Sequence, residues 1–527
     1  MGVQEQQNMR KVQQKFKMRG LTLTLDALKA VMSHLEEAPN VDQALSDIFS
    51  EMDKTSLKSN FVSKDAILEV LSAAAGGDVH EQNRLIVVDV FNLPKLCYDH
   101  VRKSFYRCPD LPTNHGEASA KAALYRDRFQ LLQQRVLRDR HFTKPSFGRN
   151  NSATGSCELF DLVSQLCEVP ENAAGIVYLF DASTRLDRVP WKALGDGILM
   201  SIISLAANIH KITTGFFTEN CVIVAEGEYM TNGVFKIRTM GFPPLEHRSV
   251  SLSVTAGLDC FGAGVLNSEE TMKLEQIEES TNDMFIILAE VWLDHEETMQ
   301  KLTQVFDGYE TLEVVPSLFI LMGNFCSHPC NRAFNEFAKL RSHFGKLGEV
   351  ISAHPRIKEA SRFIFIPGPD DIGPANVLPR PPLPKFFTNE VLKHVPNSIF
   401  ASNPCRIRFY SQEIVLFRDD ILYRTRRNCI IPPSNEETQD NFQHLVATVL
   451  HQSHLCPLPL TSQPISWPLD HVLRLYPLPH TVVLADRLIQ KVFNFTGVTS
   501  FSPGSFSHDG AFIAYRPGSK EAEISSI

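Results

Sequence analysis

The chain has 527 residues, too many for one hydrophobic core, and typical domain sizes divide it into roughly two to four domains. Hydrophobic residues make up 43% and charged residues 21%, the balance of an ordinary globular protein rather than a disordered or membrane-embedded one. The formal net charge of −8, from 52 basic and 60 acidic residues, argues against a protein whose main work is gripping nucleic acid over a wide basic face.

The 11 cysteines are scattered and odd in number, which fits free thiols in a reducing compartment. The opening MGVQEQQNMRK has no apolar core, so no secretory signal is expected. Gln6 stands where myristoylation of Gly2 needs Ser or Thr. The longest apolar stretch, 197–209, is interrupted by Ser201 and Ser204 and is too short to span a bilayer, so no membrane association is expected.

Residues 1–77 read as a small helical domain. Leu25, Leu28, Met32 and Leu35 share one helical face, and Val41, Leu45, Ile48 and Met52 share a second. Ser63 is placed to cap a third helix carrying Ile67, Val70 and Leu71, and Gly76-Gly77 closes the block. Such stripes are packing faces, so no chemistry is read into them. Residues 78–157 form a linker region with a strand at 85–90, a loop marked by Asn92 and Pro94, and a long amphipathic helix at about 119–140. Tyr125, Phe129, Leu132 and Val136 make that helix's apolar stripe; Arg126, Arg128, Arg135, Arg138 and Arg140 make it basic. Asp127 and Asp139 interleave with the arginines, which favours a solvated face over a nucleic-acid contact.

After a turn-rich stretch at 144–157, residues 158–270 show short strands at 175–180, 198–205 and 221–226. A hairpin-like pair at 229–231 and 234–240 turns at Asn232-Gly233. This pattern suits an OB-like β-barrel. Basic residues there are sparse (Arg185, Arg188, Lys192, Lys211), so a structural barrel is expected rather than a single-strand binder.

Residues 271–527 alternate strand and helix, as in a layered α/β domain. Asp294 is placed to cap the first helix, with Glu297 as capping-box partner, and the Pro-rich stretch 377–387 reads as a stiff connection. Apolar runs at 284–288, 318–322, 363–366, 414–417 and 482–484 each run into a short loop, and such strand-end loops gather ligands and catalysis in α/β sheets. In order and spacing these loops resemble those of metallophosphoesterases, which carry Asp-x-His, Gly-Asp, Gly-Asn-His, a histidine, and Gly-His-x-His. Here they read Glu290-Val291-Trp292, Gly323-Asn324, Gly368-Pro369-Asp370, Arg418-Asp419 and Asp486-Arg487-Leu488. A two-metal hydrolase needs converging carboxylates and imidazoles around cations about 4 Å apart. None of the loops expected to carry histidine has one, Trp292 takes one ligand position, and Arg418 and Arg487 would repel a metal. The expectation is an inactive phosphoesterase with no catalytic residue, no cofactor and no metal. Its degenerate ligand positions are Glu290, Trp292, Asn324, Pro369, Asp370, Asp419, Asp486 and Leu488. Glu290, Asp370, Asp419 and Asp486 are four carboxylates that, in a shared cleft, would hold one hard cation weakly; isolated acids at strand ends more often cap or bind backbone amides, so no metal is expected. The groups Cys326/His328/Cys330 and His451/His454/Cys456 lack the four regularly spaced ligands of a zinc module.

Taken together, the fold class is multidomain α+β: a helical N-terminal domain, an OB-like barrel and a degenerate calcineurin-like phosphoesterase sandwich. That order resembles the B-subunits of replicative DNA polymerases, most of all the epsilon branch. The segments that carry the likeness include FKMRGLTL (16–23), YRDRFQLLQQR (125–135), VIVAEGEY (222–229), LAEVWLD (288–294), FILMGNF (319–325), SRFIFIPGPDD (361–371), LPRPPLP (378–384), NPCRIRF (403–409), LRLYPLP (473–479) and SPGSF (502–506). The resemblance implies a non-catalytic subunit in DNA replication and repair, located in the nucleus. It implies as partners the catalytic subunit of DNA polymerase epsilon, through its C-terminal zinc module, and components of the replicative helicase, and it leaves room for a weak DNA contact. The competing readings are the B-subunit of another replicative polymerase and a divergent, active metallophosphoesterase.

Overall fold

The computed structural model describes residues 12, 15–16, 22–23, 27–28, 31, 61–62, 84–108, 116–139, 174–181, 203–211, 213–229, 235–255, 257–330, 337–373, 376–433, 438–487 and 490–527. The chain divides into two compact units, 1–86 and 87–527. In the first, Val12, Phe16, Ala27, Leu28 and Val31 are helical and buried. Thr22–Leu23 pairs in parallel with Phe61–Val62, a strand pair that the purely helical expectation omits. Threonine, phenylalanine and valine favour extended backbone, which local helical periodicity does not register. Of the expected helical stripes only Leu28 lies among the described residues.

In the second unit the long helix α1 spans Ala118–Val136. Arg126 is exposed as expected, but two of the helix's arginines leave the solvated face expected of them. Arg128 is buried and clamps Asp470, with Nη2 2.5 Å from Oδ1. Arg135, also buried, donates to the carbonyls of His451 (2.6 Å) and Pro243 (3.1 Å) and to Ser453 Oγ (2.7 Å). Their partners lie hundreds of positions downstream or on a separate loop, which periodicity within one helix cannot reveal.

The barrel region supplies a four-stranded sheet. Its strands are β1 (Ala174–Asp181), β2 (Ile203–Lys211), β3 (Val222–Tyr229) and β4 (Phe235–Gly241), in the order β1–β3–β4–β2. Two expectations need correction. Of the strand expected at 198–205, residues 198–202 lie outside the described residues, while 203–205 open β2, which runs on to Lys211. The run expected at 221–226 continues to Tyr229 as one strand, β3, which pairs antiparallel with β4 from Phe235↔Tyr229 onward; residues 230–234, with the expected turn at Asn232-Gly233, lie outside the described residues. The register shift between Ile237 and Thr239 absorbs the extra residue and keeps a long pairing possible.

The remainder is built on two further sheets. Along the chain come β5 (Phe285–Ala289), α2 (Glu296–Glu310), β6 (Leu318–Met322), α3 (Phe337–Ser352), β7 (Arg362–Ile366), α4 (Lys385–His394) and β8 (Ile399–Phe400). Next are β9 (Cys405–Phe409), β10 (Gln412–Arg418), α5 (Ile421–Arg427), α6 (Asn441–His451), β11 (Thr481–Ala485), β12 (Lys491–Phe495), β13 (Val498–Ser502), β14 (Ala511–Arg516) and β15 (Glu521–Ser526). One sheet runs β8–β7–β6–β5–β14–β15, and the other contains β12–β13–β11–β10–β9 in that order. Strands β5 to β8 are parallel, as are β10, β11 and β13. FIILA in β5 and LFILM in β6 are buried at every position, as parallel strands covered on both faces require.

On one face of the first sheet, Ile286, Leu288, Phe319, Leu321, Phe363 and Phe365 join the apolar faces of α2, α3 and α4 in a single core. Burying each such side chain is worth about 1.5–3 kcal/mol. On the other face, Phe285 stands edge-on to Phe409 of the second sheet at 4.8 Å between ring centres, and Tyr515 bonds to Thr481 through its hydroxyl at 2.7 Å. The two sheets thus bring the carboxyl ends of β5, β6, β7, β10 and β11 together. Asp294 does not cap α2: its carboxylate accepts from Ser327 N (2.9 Å) and Oγ (2.7 Å), and His295 takes the N-cap position. A partner across the loop outcompetes the local cap.

Buried imidazoles, His480 at about 3 among them, cost this unit stability on the acid side. Burial pushes His451, His454 and His471 down to about 4. A group depressed in the folded state leaves stability intact above its ordinary value near 6.5 and erodes it as pH falls towards the folded value. Burial also raises Glu278 to about 7 and Asp371 and Asp486 to about 6, and these acids act in the opposite direction over the same window, so the imidazole contribution is read by difference. In differential scanning calorimetry of the full chain, His471→Gln should lose less of its thermal midpoint between pH 6.5 and pH 4 than the unmodified chain does; the same loss in both would contradict the neutral, buried placement.

Candidate functional site

The strand-end loops converge on a guanidinium. Arg418, the last residue of β10, is fully buried, with a side-chain exposure of 0%. Its Nη2 donates to Glu290 Oε1 (2.9 Å), its Nη1 to Asp420 Oδ1 (2.7 Å) and to the Ala485 carbonyl (3.1 Å), and its Nε to the Gly323 carbonyl (2.6 Å). Those four bonds join the loops after β5, β6, β10 and β11 and use most of the five donors a guanidinium carries. Burial alone would lower Arg418, but the Asp420 and Glu290 carboxylates outweigh it and hold the group above its ordinary value.

Glu290 is shared. Besides Arg418 it accepts from Arg487 Nε (2.8 Å) and Ser505 Oγ (3.0 Å), and its backbone adopts a φ of 56°. Left-handed backbone in a non-glycine residue costs of order 1 kcal/mol and persists where surrounding contacts over-determine it. Those contacts include Ser507, whose N–H donates to the Glu290 carbonyl at 3.2 Å. Arg487, half-exposed, also reaches Asp370 Oδ2 (3.4 Å) and Asp420 Oδ2 (3.4 Å).

Of the other described positions singled out in the sequence, all but Trp292, whose Nε1 is buried without a hydrogen-bond partner among the described residues, are committed to polar partners. Asn324 accepts from Asp370 N (3.0 Å) through Oδ1 and donates to Asp370 Oδ2 (3.3 Å) through Nδ2. The Pro369 carbonyl accepts from Arg380 Nη1 at 2.6 Å. Asp419 pairs with Arg424 of α5 and accepts from Asp420 N at 2.8 Å. Asp486 accepts from Leu422 N at 2.8 Å and is pushed up to about 6, first by burial and then by Asp420. Trp292 is half-buried, its ring edge-on to His508 at 4.7 Å. Leu488 lies outside the described residues.

Several residues that matter here are ones sequence reasoning does not single out. Asp371 accepts from Phe325 N (2.7 Å) and Gly368 N (2.7 Å), and burial raises it to about 6. Arg380 donates to the Asp371 carbonyl at 2.7 Å, and Asn403 bonds both ways with the Arg418 backbone. The doubled acids at 370–371 and 419–420 are the signal the sequence offers. Gly323 and Gly368 are required by close approach: a Cβ on Gly323 would strike the Asp371 carboxylate, and one on Gly368 would lie 2.7 Å from Asn324 N.

The residues present do not fit a two-metal centre. The space among Glu290, Asp420 and the Gly323 and Ala485 carbonyls is filled by a fixed organic cation, and the described residues contain no group of three or more His, Cys, Asp or Glu able to hold a metal ion.

Comparison with known proteins adds the family. The family model for the B-subunit of DNA polymerase alpha/epsilon matches residues 285–492. A second, described as DNA polymerase epsilon subunit 2-like, OB-fold domain, matches 118–244. The DNA polymerase epsilon B-subunit of Arabidopsis thaliana is 46% identical over 99% of this chain and 99% of its own length. DNA polymerase epsilon subunit 2 of Homo sapiens is 33% identical over 97% of each chain. The B-subunit of Schizosaccharomyces pombe is 32% identical over 80% of this chain and 72% of its own. This chain belongs to the DNA polymerase epsilon B-subunit family. The barrel strands β1 to β4 lie within the matched OB-fold, and the Arg418 cluster's strand-end loops, from β5 to β11, lie within the matched B-subunit domain.

The two His/Cys groups weighed in the sequence have structural roles in this B-subunit fold. His451 Nδ1 bonds to the Pro243 carbonyl (2.9 Å), while His454 bonds to Asp470 (3.3 Å) and to Cys456 N (3.0 Å). Cys326 and Cys330 are buried beside each other, and His328 leans on Asp294 at 3.3 Å.

Breaking a buried pair strands its partner charge and costs about 3–5 kcal/mol. Arg418→Met should therefore destabilise the protein by that order in urea unfolding, and adding Glu290→Gln should recover part of the loss. Arg487→Gln, half in solvent, should cost less than about 1 kcal/mol. Equal costs for the two arginine variants would contradict the ranking.

Proposed function

We propose that this chain is a non-catalytic docking subunit of the DNA polymerase epsilon complex, acting in the nucleus in chromosomal replication and repair. The observation that carries the reading is Arg418, whose buried guanidinium occupies the place where divalent cations would have to sit. A metal brought there would meet like charge at contact distance in a low-dielectric interior, where such repulsion is strongest. The two-sheet domain is accordingly a calcineurin-like sandwich whose chemistry has been replaced by a structural cross-link. The proposed division is 1–77 as a helical domain, 78–157 as a linker with the long helix, 158–270 as the barrel and 271–527 as the phosphoesterase-like domain.

In this reading the barrel and the sandwich hold the catalytic subunit through its C-terminal zinc module, and the helical block links the assembly to the replicative helicase. Membership of the epsilon B-subunit family supports the first role, and the separation of residues 1–86 as a compact unit of their own supports the second. No helix among the described residues is long and apolar enough to cross a membrane.

Two measurements test the proposal. The purified chain should show no manganese-dependent phosphodiesterase activity above background; hydrolysis that disappears in the Asp370→Asn, Asp486→Asn variant would overturn the inactive reading. A deletion of residues 1–77 should keep the catalytic-subunit tail and lose the helicase in parallel pull-downs. The opposite pattern would overturn the division of labour.

A further inference from the structure

Apart from the Arg418 cluster, a cavity of about 370 Å³ opens between the 247–266 segment, β9 and the stretch preceding β11. Its rim carries Leu252 and Val265, which are 44% and 55% exposed, and Phe261 is buried at its wall. Arg406 and Arg408 of β9 also line it and are buried.

Neither arginine forms a salt bridge with a carboxylate among the described residues. Arg406 donates to the carbonyls of Arg474 (2.7 Å), Val472 (3.1 Å) and Cys260 (3.4 Å), and its guanidinium lies 5.4 Å from the Phe261 ring centre. Arg408 Nη1 donates to the Gly264 carbonyl at 3.0 Å. The Nε of each is buried without a hydrogen-bond partner among the described residues. Burial lowers both guanidiniums, Arg406 to about 10.

Two of the carboxylates around the same cavity are already committed. Asp259 accepts from Gly262 N (2.6 Å) and Gly264 N (2.8 Å), and Glu413 pairs with Arg248 at 2.8 Å. Glu275 stands exposed at the rim. A buried polar wall with incomplete partners beside exposed apolar side chains is the composition of a recognition pocket. Guanidiniums select carboxylate or phosphate. An apolar rim and only two cations without a carboxylate partner suit a peptide better than a phosphodiester backbone, which needs a track of cations.

We propose that this cavity docks a short peptide segment of another subunit of the assembly, in which a carboxylate is flanked by apolar side chains. The carboxylate would be held by Arg406 and Arg408 and the apolar side chains by Leu252, Phe261 and Val265. The inference rests on the accessory-subunit reading above.

The test pans a random 12-residue peptide library displayed on phage against the full chain, the Arg408→Glu variant and the Val265→Glu variant. Unchanged thermal unfolding would verify that each variant is folded. The unmodified chain should enrich sequences with Asp or Glu beside Leu, Phe or Met, and synthetic versions should bind each variant roughly tenfold more weakly, the effect of 1.4 kcal/mol. No enrichment, enrichment without acids, equal binding to the variants, or displacement by millimolar inorganic phosphate alone would overturn the docking site. Co-purification of the unmodified chain with the catalytic subunit is scored separately. If the complex forms while the panning fails, the pocket is wrong and the subunit reading stands; if the complex does not form, the subunit reading fails by itself.

Discussion

The α/β part of this protein depends on one buried cation. Arg418 is bound to the ends of four loops that lie far apart in the chain, and through Glu290 it also draws in Ser505 and Arg487. A buried guanidinium is expensive unless its donors are met by acceptors of good geometry, and its removal leaves uncompensated acids behind. The acids around it are numerous: Glu290, Asp370, Asp371, Asp419, Asp420 and Asp486 face Arg380, Arg418, Arg424 and Arg487. Burial raises Asp371 and Asp486 to about 6, and neighbouring acids add to the rise at Asp486. The excess of acid is what a metal centre would need, and the arginines neutralise it.

The same cluster accounts for the glycines and amides of these loops. Gly323 and Gly368 have nothing to coordinate, yet the loops still cross too closely for a Cβ. Asn324, Asp370 and Asp371 tie the β6 and β7 loops through amides and backbone bonds rather than through an ion. Loops with this many converging acids hold their shape here through a permanent cation, Arg418, fixed by four hydrogen bonds.

Legibility in the sequence follows the range of the interactions. Continuous apolar runs ending in Gly, Pro or acid mark β5, β6, β7, β10 and β11 to within two residues, because a doubly covered parallel strand writes its burial locally. The cationic character of 418 and 487 is legible as well. The bonding of Asp371, Arg380 and Asn403 is not, since each acts on backbone atoms of loops it is not part of or meets only in the fold. The inward arginines of α1 escape local reading for the same reason: Asp470 and the carbonyls of Pro243 and His451 decide where Arg128 and Arg135 point. In β3, Glu226-Gly227-Glu228 breaks the apolar pattern into two apparent pieces, and only the continuous pairing with β4 joins them into one strand.

The central claim is that a guanidinium holds the position a divalent metal would take. Titration of Mn²⁺ into the purified full chain, followed by the electron paramagnetic resonance of the free ion, tests it most directly. The account predicts that the free-ion signal grows with added Mn²⁺ as it does in buffer, with no stoichiometric uptake. Loss of one equivalent of signal, restored by Glu290→Gln, would contradict it.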